Sequence, residues 1–164
     1  MDRLWTPWRM EYIKSATTSD ESERCIFCDL PEVGDDEKTL ILARRPAAFV
    51  ILNKYPYNPG HLMIAPFRHV GELSGLEDEE LGETGRLVRE SVSVIEQAWD
   101  PSGFNIGMNL GRVAGAGVPG HLHWHVVPRW DGDSNFMPVI GQTKVLPELL
   151  EETYAKLRPE FGRR

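Results

Sequence analysis

The segment Gly120-His121-Leu122-His123-Trp124-His125-Val126-Val127-Pro128 holds three of the protein's five histidines. In an extended chain side chains alternate, so His121, His123 and His125 share one face while Leu122, Trp124 and Val126 turn to the other, toward a core. Imidazole, with an unperturbed pKa of about 6.5, is largely neutral near pH 7 and serves as nucleophile, proton donor or metal ligand. A row of solvated histidines on an exposed strand is the plainest alternative, and a metal-only cluster of the zinc-hydrolase kind is another. The carboxylates that would complete a hydrolytic metal centre are missing nearby. The chain arrives at this strand through a glycine-rich stretch, 111–120, with Gly111, Gly115, Gly117 and Gly120. Glycine lets successive N–H groups turn inward and cradle anionic oxygens, although many such stretches are only flexible connections. A glycine loop feeding a His-x-His-x-His strand sets phosphate donors beside a nucleophile.

Cys25 and Cys28 are the two cysteines, two residues apart. A structural disulfide is disfavoured in a reducing compartment, which leaves a metal site, a redox pair or two buried thiols. No βαβ pattern surrounds them, so a thioredoxin-like pair fits poorly.

These groups need a scaffold. Three strand-like runs, 39–44, 47–53 and 61–66, are separated by short turn-rich connections, Arg45-Pro46 and 54–60, which join antiparallel neighbours. One segment is strongly helical: Leu81, Gly85, Val88, Val92, Ile95 and Trp99 recur at alternating four and three residues. Ser74 with Glu77 fits a capping box ahead of it, and Asp100-Pro101 ends it. Two further strands are expected at 104–110 and 122–127, and a short terminal helix at 147–157. Segments 15–24 and 31–38 read as loops. The pattern predicts an α+β fold with an antiparallel sheet, one long helix and a short C-terminal helix.

The whole chain, 164 residues, suits one domain over 1–164, with an N-terminal extension (1–24) and a C-terminal tail (131–164). The net charge of −7 opposes non-specific binding to nucleic acid or anionic membranes, though not a small anion in a locally basic pocket. The longest apolar run, 47–52, is far shorter than the roughly 18 residues a membrane span needs. No apolar leader is recognisable, so a cytoplasmic location is expected.

From Cys25 to about Arg129 the sequence resembles the histidine triad family of nucleotide hydrolases and transferases. The likeness rests on Cys-Ile-Phe-Cys, Leu52-Asn53, Pro59-Gly60-His61-Leu62-Met63-Ile64-Ala65-Pro66, Arg68-His69-Val70 and the triad. The segments 4–13 and 132–138 are similar to the bacterial branch related to diadenosine tetraphosphate phosphorylases and hydrolases. The resemblance implies that His123 attacks the α-phosphorus to form a nucleotidyl-histidine intermediate, its other ring nitrogen held by a carbonyl of the glycine loop. It makes His125 the donor to the leaving side. It assigns Asn53 to the ribose, His61 to the active site from the neighbouring strand, Phe27 and Leu30 to the base pocket, and Asn109 to an anchor ahead of the phosphate loop. As residues alone, His61, Phe27 and Leu30 are equally well ordinary core. Where many members carry Gln and Ser or Thr, this loop has Gly115-Ala116-Gly117, which shifts phosphate binding from side chains to backbone N–H groups, with Arg112 as a nearby charge.

In zinc-containing members and the related galactose-1-phosphate uridylyltransferases, two such cysteines join a histidine of a Pro-x-x-His segment and the first triad histidine. The corresponding residues are Cys25, Cys28, His69 and His121. Two thiolates and two imidazoles make a closed, structural zinc site. The implied activity is cleavage of a dinucleoside polyphosphate such as diadenosine tetraphosphate, by phosphate or by water. The alternatives are a nucleoside phosphoramidase or nucleotidylyltransferase, and a nucleotide-binding regulatory module without turnover. The family also implies a homodimer, for which Trp5, Trp8 and Trp130 are candidate interface aromatics.

Overall fold

The computed structural model describes residues 25–133 and 148–162. Five strands, β1 (Ile41–Arg44), β2 (Ala48–Leu52), β3 (Leu62–Pro66), β4 (Gly103–Met108) and β5 (Trp124–Arg129), form one antiparallel sheet in the order β1-β2-β3-β5-β4. Helix α1 (Ile26–Glu32) and the single turn α2 (Asp36–Thr39) precede the sheet. The long helix α3 (Asp78–Trp99) crosses between β3 and β4, and α4 (Leu150–Phe161) closes the described chain. The α+β expectation is met, and the strands fall within a few residues of their predicted places.

Strands β2 and β3 are buried at every position. Their alternation therefore sorts residues between two cores rather than between core and solvent. Val50, Leu52, Leu62, Ile64 and Val126 point to α3 and α4, meeting Leu87, Val94, Ile95, Tyr154, Leu157 and Phe161. Phe49, Ile51, Met63 and Ala65 point the other way and receive Phe27 of α1. As the triad spacing requires, Trp124 and Val126 pack on the α3 side.

Several local expectations are corrected. Residues 31–38 are not a loop: α1 runs to Glu32, and Asp35 caps α2 by accepting the Lys38 N–H at 3.1 Å, with Asp36 and Glu37 in the first turn where the helix dipole favours acids. Leu40 leaves α2 at φ 63, so β1 begins at Ile41 rather than at 39. Ser74 lies in a 3-10 turn, Leu73–Gly75, and does not cap α3; the carboxylate of Glu80 instead accepts the Glu77 N–H at 2.9 Å. The α3 face is also rotated from the predicted stripe. Leu81 and Gly85 are exposed, while Glu80, Glu83, Thr84, Leu87, Ser91, Val94 and Ile95 are buried. Three of the polar members meet fixed donors or acceptors: Glu80 receives Arg68, Glu83 receives the Ala47 N–H, and Thr84 donates to Leu81 O, whereas the buried Ser91 hydroxyl has no partner among the described residues. The helix ends at Trp99 with Asp100 at φ 49, as its Asp-Pro sequence predicts. Helix α4 runs four residues beyond its predicted end because Phe161 is drawn into the core. The 15–24 connection, Trp5 and Trp8 lie outside the described residues. No described helix is long and apolar enough to cross a membrane.

Candidate functional site

The histidines gather on the sheet face that receives α1. His121 and His123 lie in the extended lead-in to β5, and His125 lies inside that strand. Phe27 is the common neighbour: its ring is 5.4 Å from His121 and 4.6 Å from His123, itself buried against Phe49 and the second core. The rings of His123 and His125 are 4.9 Å apart, close enough for both to touch one phosphoryl group.

Hydrogen bonds assign the protons. His123 Nδ1 faces the carbonyl of His121 at 2.9 Å. A carbonyl only accepts, so Nδ1 carries the hydrogen and Nε2 keeps a lone pair. The acceptor is therefore the strand's own carbonyl rather than one from the glycine loop, because the residue two before is the group within reach of an extended chain. Burial lowers the His123 pKa, partly offset by this bond, and so favours the neutral ring that a nucleophile requires.

His61 is fully buried and lies just ahead of β3, which pairs with β5. Its Nδ1 accepts the Tyr57 N–H at 3.1 Å and lies 3.2 Å from Asn53 Nδ2. Its Nε2–H thus donates to His125 Nδ1 at 2.9 Å, which leaves the His125 hydrogen on Nε2. The two catalytic candidates end in complementary states: Nε2 carries a lone pair on His123 and a hydrogen on His125. Tyr57 covers this pair, its ring 4.6 Å from His61 and 5.9 Å from His125. Gly60 makes the turn before His61 at φ +73, where a Cβ would come within 2.9 Å of the Trp99 ring.

The second cluster lies beside the first. Cys25 caps α1 and Cys28 follows within its first turn, their N–H and C=O groups joined by Cys28 N–H to Cys25 O at 2.9 Å. His69 comes from the loop after β3, held against the strand lead-in by Leu122 N–H donating to Val70 O at 2.7 Å. The four side chains bring donor atoms within 4.8 Å of one another. Cys25 Sγ is 3.2 Å and Cys28 Sγ 3.5 Å from His121 Nδ1, and Cys28 Sγ is 3.4 Å from His69 Nδ1. Tetrahedral zinc, with Zn–S of about 2.3 Å and Zn–N of about 2.0–2.1 Å, sets neighbouring sulfur and nitrogen about 3.5 Å apart, so the spacing fits. His121 Nε2–H donates to Pro66 O at 2.9 Å, turning the Nδ1 lone pair toward the sulfurs, as an outer-shell partner does for a ligating imidazole. Burial lowers the His121 pKa to about 4, keeping the ring unprotonated. Burial, and then the adjacent Cys25 thiol, raise Cys28 to about 11; a bound cation reverses that preference.

The chain belongs to the HIT family. The HIT domain model matches residues 35–132. The chain is 44% identical over 168 residues to the AP-4-A phosphorylase of Mycobacterium tuberculosis, covering 99% of this chain and 86% of that protein. It is 41% identical over 87 residues to the asymmetrical bis(5'-nucleosyl)-tetraphosphatase of Schizosaccharomyces pombe, covering 53% of this chain and 46% of that one. Among solved structures, a hypothetical histidine triad nucleotide-binding protein from Sulfolobus tokodaii superposes with a TM-score of 0.69 at 26% identity, covering 84% of this chain and 92% of that one.

The HIT-family positions named from sequence are not all gathered equally. Asn53 sits beside His61, its Oδ1 accepting the Tyr55 N–H at 2.9 Å. Phe27 is wholly buried and lies against His121 and His123, while the half-buried Leu30 packs on the same core cluster. Asn109 follows the end of β4 and is half-buried. In the glycine loop the N–H groups of Gly115 and Ala116 donate to Arg112 O and Gly111 O, at 3.0 and 3.3 Å. They are spent inside the loop, whereas that of Gly117 is not turned back in this way. The Tyr57 N–H, the Pro66 carbonyl and the Arg68–Glu80 pair beside His69 were not legible from sequence. Each acts through main-chain geometry or a partner distant in the chain.

Proposed function

We propose that this HIT protein cleaves the phosphoanhydride of a dinucleoside polyphosphate, diadenosine tetraphosphate foremost, by covalent catalysis on His123. The observation that carries the reading is the pair of opposed tautomers 4.9 Å apart, a lone pair on His123 Nε2 and a proton on His125 Nε2. The 44% identical AP-4-A phosphorylase supports the choice of substrate.

His123 Nε2 attacks the α-phosphorus. A P–N bond forms, the P–O bond to the departing polyphosphate breaks, and the charge gathering on the leaving oxygen is stabilised by a hydrogen bond from His125 Nε2–H. In the second step phosphate or water attacks the same phosphorus, the P–N bond breaks with its electron pair returning to His123 Nε2, and the proton shed by the incoming oxygen passes to solvent. A positioned hydrogen-bond donor of this type contributes about 10²–10³ in rate. Asn53 holds the ribose, and Phe27 with Leu30 border the base. Asn109 anchors the approach to the glycine loop 115–117, where Gly117 supplies a backbone N–H to the phosphoryl oxygens. Cys25, Cys28, His69 and His121 hold zinc, whose closed shell stabilises the fold without polarising substrate. A thiolate pair of this kind suits a reducing, cytoplasmic setting.

The active unit is a homodimer. Strand β4 is an edge strand with Asn105 and Ile106 exposed, and an antiparallel edge is self-complementary about a two-fold axis. Sedimentation equilibrium is expected to give twice the chain mass, and a monomer at all concentrations removes this part of the reading.

Product analysis with diadenosine tetraphosphate tests the activity. ADP and ATP formed only with added phosphate identify a phosphorylase, the expected result. AMP and ATP regardless of phosphate identify a hydrolase. No cleavage in either case overturns the proposal, and turnover of a nucleoside phosphoramidate would then mark the runner-up.

A further inference from the structure

The hydrogen-bond donor His125 depends on a chain of contacts that reaches well outside the triad. His125 Nδ1 takes its hydrogen bond from His61, and the His61 proton is held on Nε2 by the N–H of Tyr57. Tyr57 lies in the 53–61 connection, a stretch without regular structure closed by Asn53 N–H to His61 O at 3.0 Å and His61 N–H to Asn58 O at 3.1 Å. Such a connection holds one backbone N–H on one ring nitrogen only if something fixes it from outside. The buried side chain of Asn58 does so: its Nδ2 donates to Pro128 O at 3.0 Å and to Asp133 Oδ2 at 2.7 Å. Asp133 is in turn gripped by the Arg129 fork, Nε to Oδ2 at 2.6 Å and a terminal nitrogen to Oδ1 at 2.8 Å, and by the Trp130 N–H at 3.2 Å. Arg129 also donates to Asn105 Oδ1 at 2.6 Å, tying the hub to strand β4.

We propose that Asp133 is a positioning residue for the His61–His125 donor pair: through Asn58 it holds the 53–61 connection so that the Tyr57 N–H selects the Nε2–H tautomer of His61 and, through it, of His125. The assignment deepens the catalytic reading of His125 and rests on it for its consequence in turnover, but not for its consequence in the histidine rings. A carboxylate suits the position, because it accepts from Arg129, Trp130 and Asn58 together with two oxygens. The Arg129 guanidinium, first, and then the Trp130 and Asn58 donors hold its carboxyl well below the usual aspartate range. It therefore remains an ionised acceptor at any working pH. His123 takes no part in this chain, since its tautomer is set by the His121 carbonyl.

The test is a long-range proton–nitrogen correlation spectrum of the five histidine rings in wild type, Asp133→Ala and Asn58→Ala. Wild type is expected to show His61 and His125 as single Nε2–H tautomers and His123 as Nδ1–H. Both variants are expected to move His61 and His125 to mixed tautomers while His123 keeps its pattern, with kcat lowered tenfold or more. Asp133→Asn, which keeps one acceptor oxygen, should restore part of the wild-type pattern. Unchanged tautomers at His61 and His125 in either variant overturn the proposal, as does a mixture in wild type. Should Asp133→Ala fail to fold, Asn58→Ala and Asp133→Asn carry the same comparison. The expected tautomer change in a protein that cleaves no dinucleotide would uphold the positioning role and sink the catalytic reading alone.

Discussion

One imidazole differs from another here by which nitrogen meets a carbonyl. His121 and His123 are two residues apart and both are deeply buried, yet the first turns Nδ1 to the cysteines and the second keeps Nδ1–H on a backbone oxygen. The proposed division of labour follows from this: His121 offers a lone pair to a metal, His123 one to phosphorus. Substituting His123→Ala removes the atom proposed to form the bond to phosphorus. It is expected to abolish turnover while nucleotide binding, read by calorimetry, survives. His125→Ala keeps the proposed nucleophile and should cost about 10²–10³ in kcat, less with a substrate whose leaving group is already acidic. Equal losses on good and poor leaving groups would show that His125 is not the donor to the leaving oxygen.

Helix α1 is short, carries Pro31 inside it and has no side-chain cap. A seven-residue helix is not stable on propensity alone, so tertiary anchors must hold it. Those anchors are the Phe27 ring in the second core and the two thiols at its first turn. Removal of the proposed zinc is therefore expected to act on α1 before the sheet. Chelation or Cys28→Ser should abolish a zinc content of about one per chain. It should also speed hydrogen exchange in 26–32 while β2 and β3 stay protected. Uniform loss of protection across the sheet would mean that the metal holds the whole fold. The sheet itself is secured by the α3 interface, where Leu87 is 1% exposed and Leu87→Ala is expected to cost about 2–5 kcal/mol by denaturant unfolding.

Across the whole molecule, two buried cores clasp one sheet, and acids tie the connections to it. Glu80 joins α3 to the Arg68–His69 loop, and its pKa lies below the ordinary 4.5, chiefly because it accepts from the Arg68 guanidinium. A carboxyl depressed in the fold contributes stability that is fully present above its unfolded pKa and is lost as pH falls through the lower, folded one. Glu80→Gln should therefore destabilise the protein at pH 7, with the gap to wild type closing as pH drops below the usual glutamate range. Urea midpoints at pH 7, 5, 4 and 3 check this; a gap that widens in acid would contradict the assignment.

Much of this architecture is written in local pattern. The His-x-His-x-His alternation, the apolar runs of β2 and β3, the turn residues between them and the Asp-Pro stop of α3 act within a few residues, so the chain reveals them directly. The face that α3 buries does not follow from its apolar stripe. Glu80 and Glu83 enter the interface because Arg68 and the Ala47 N–H await them, and those partners come from distant segments. The same holds for the protons. Sequence names the histidines and the cysteines by type and spacing, but a tautomer is chosen by whichever carbonyl or N–H stands opposite a ring nitrogen. Pro66 lies 55 residues from His121, and His61 lies 64 from His125. Only the folded chain, by bringing β3 against β5 and the 53–61 connection against Asp133, decides which of these identical side chains turns a lone pair to the cysteines, which keeps one on Nε2 and which carries its hydrogen there.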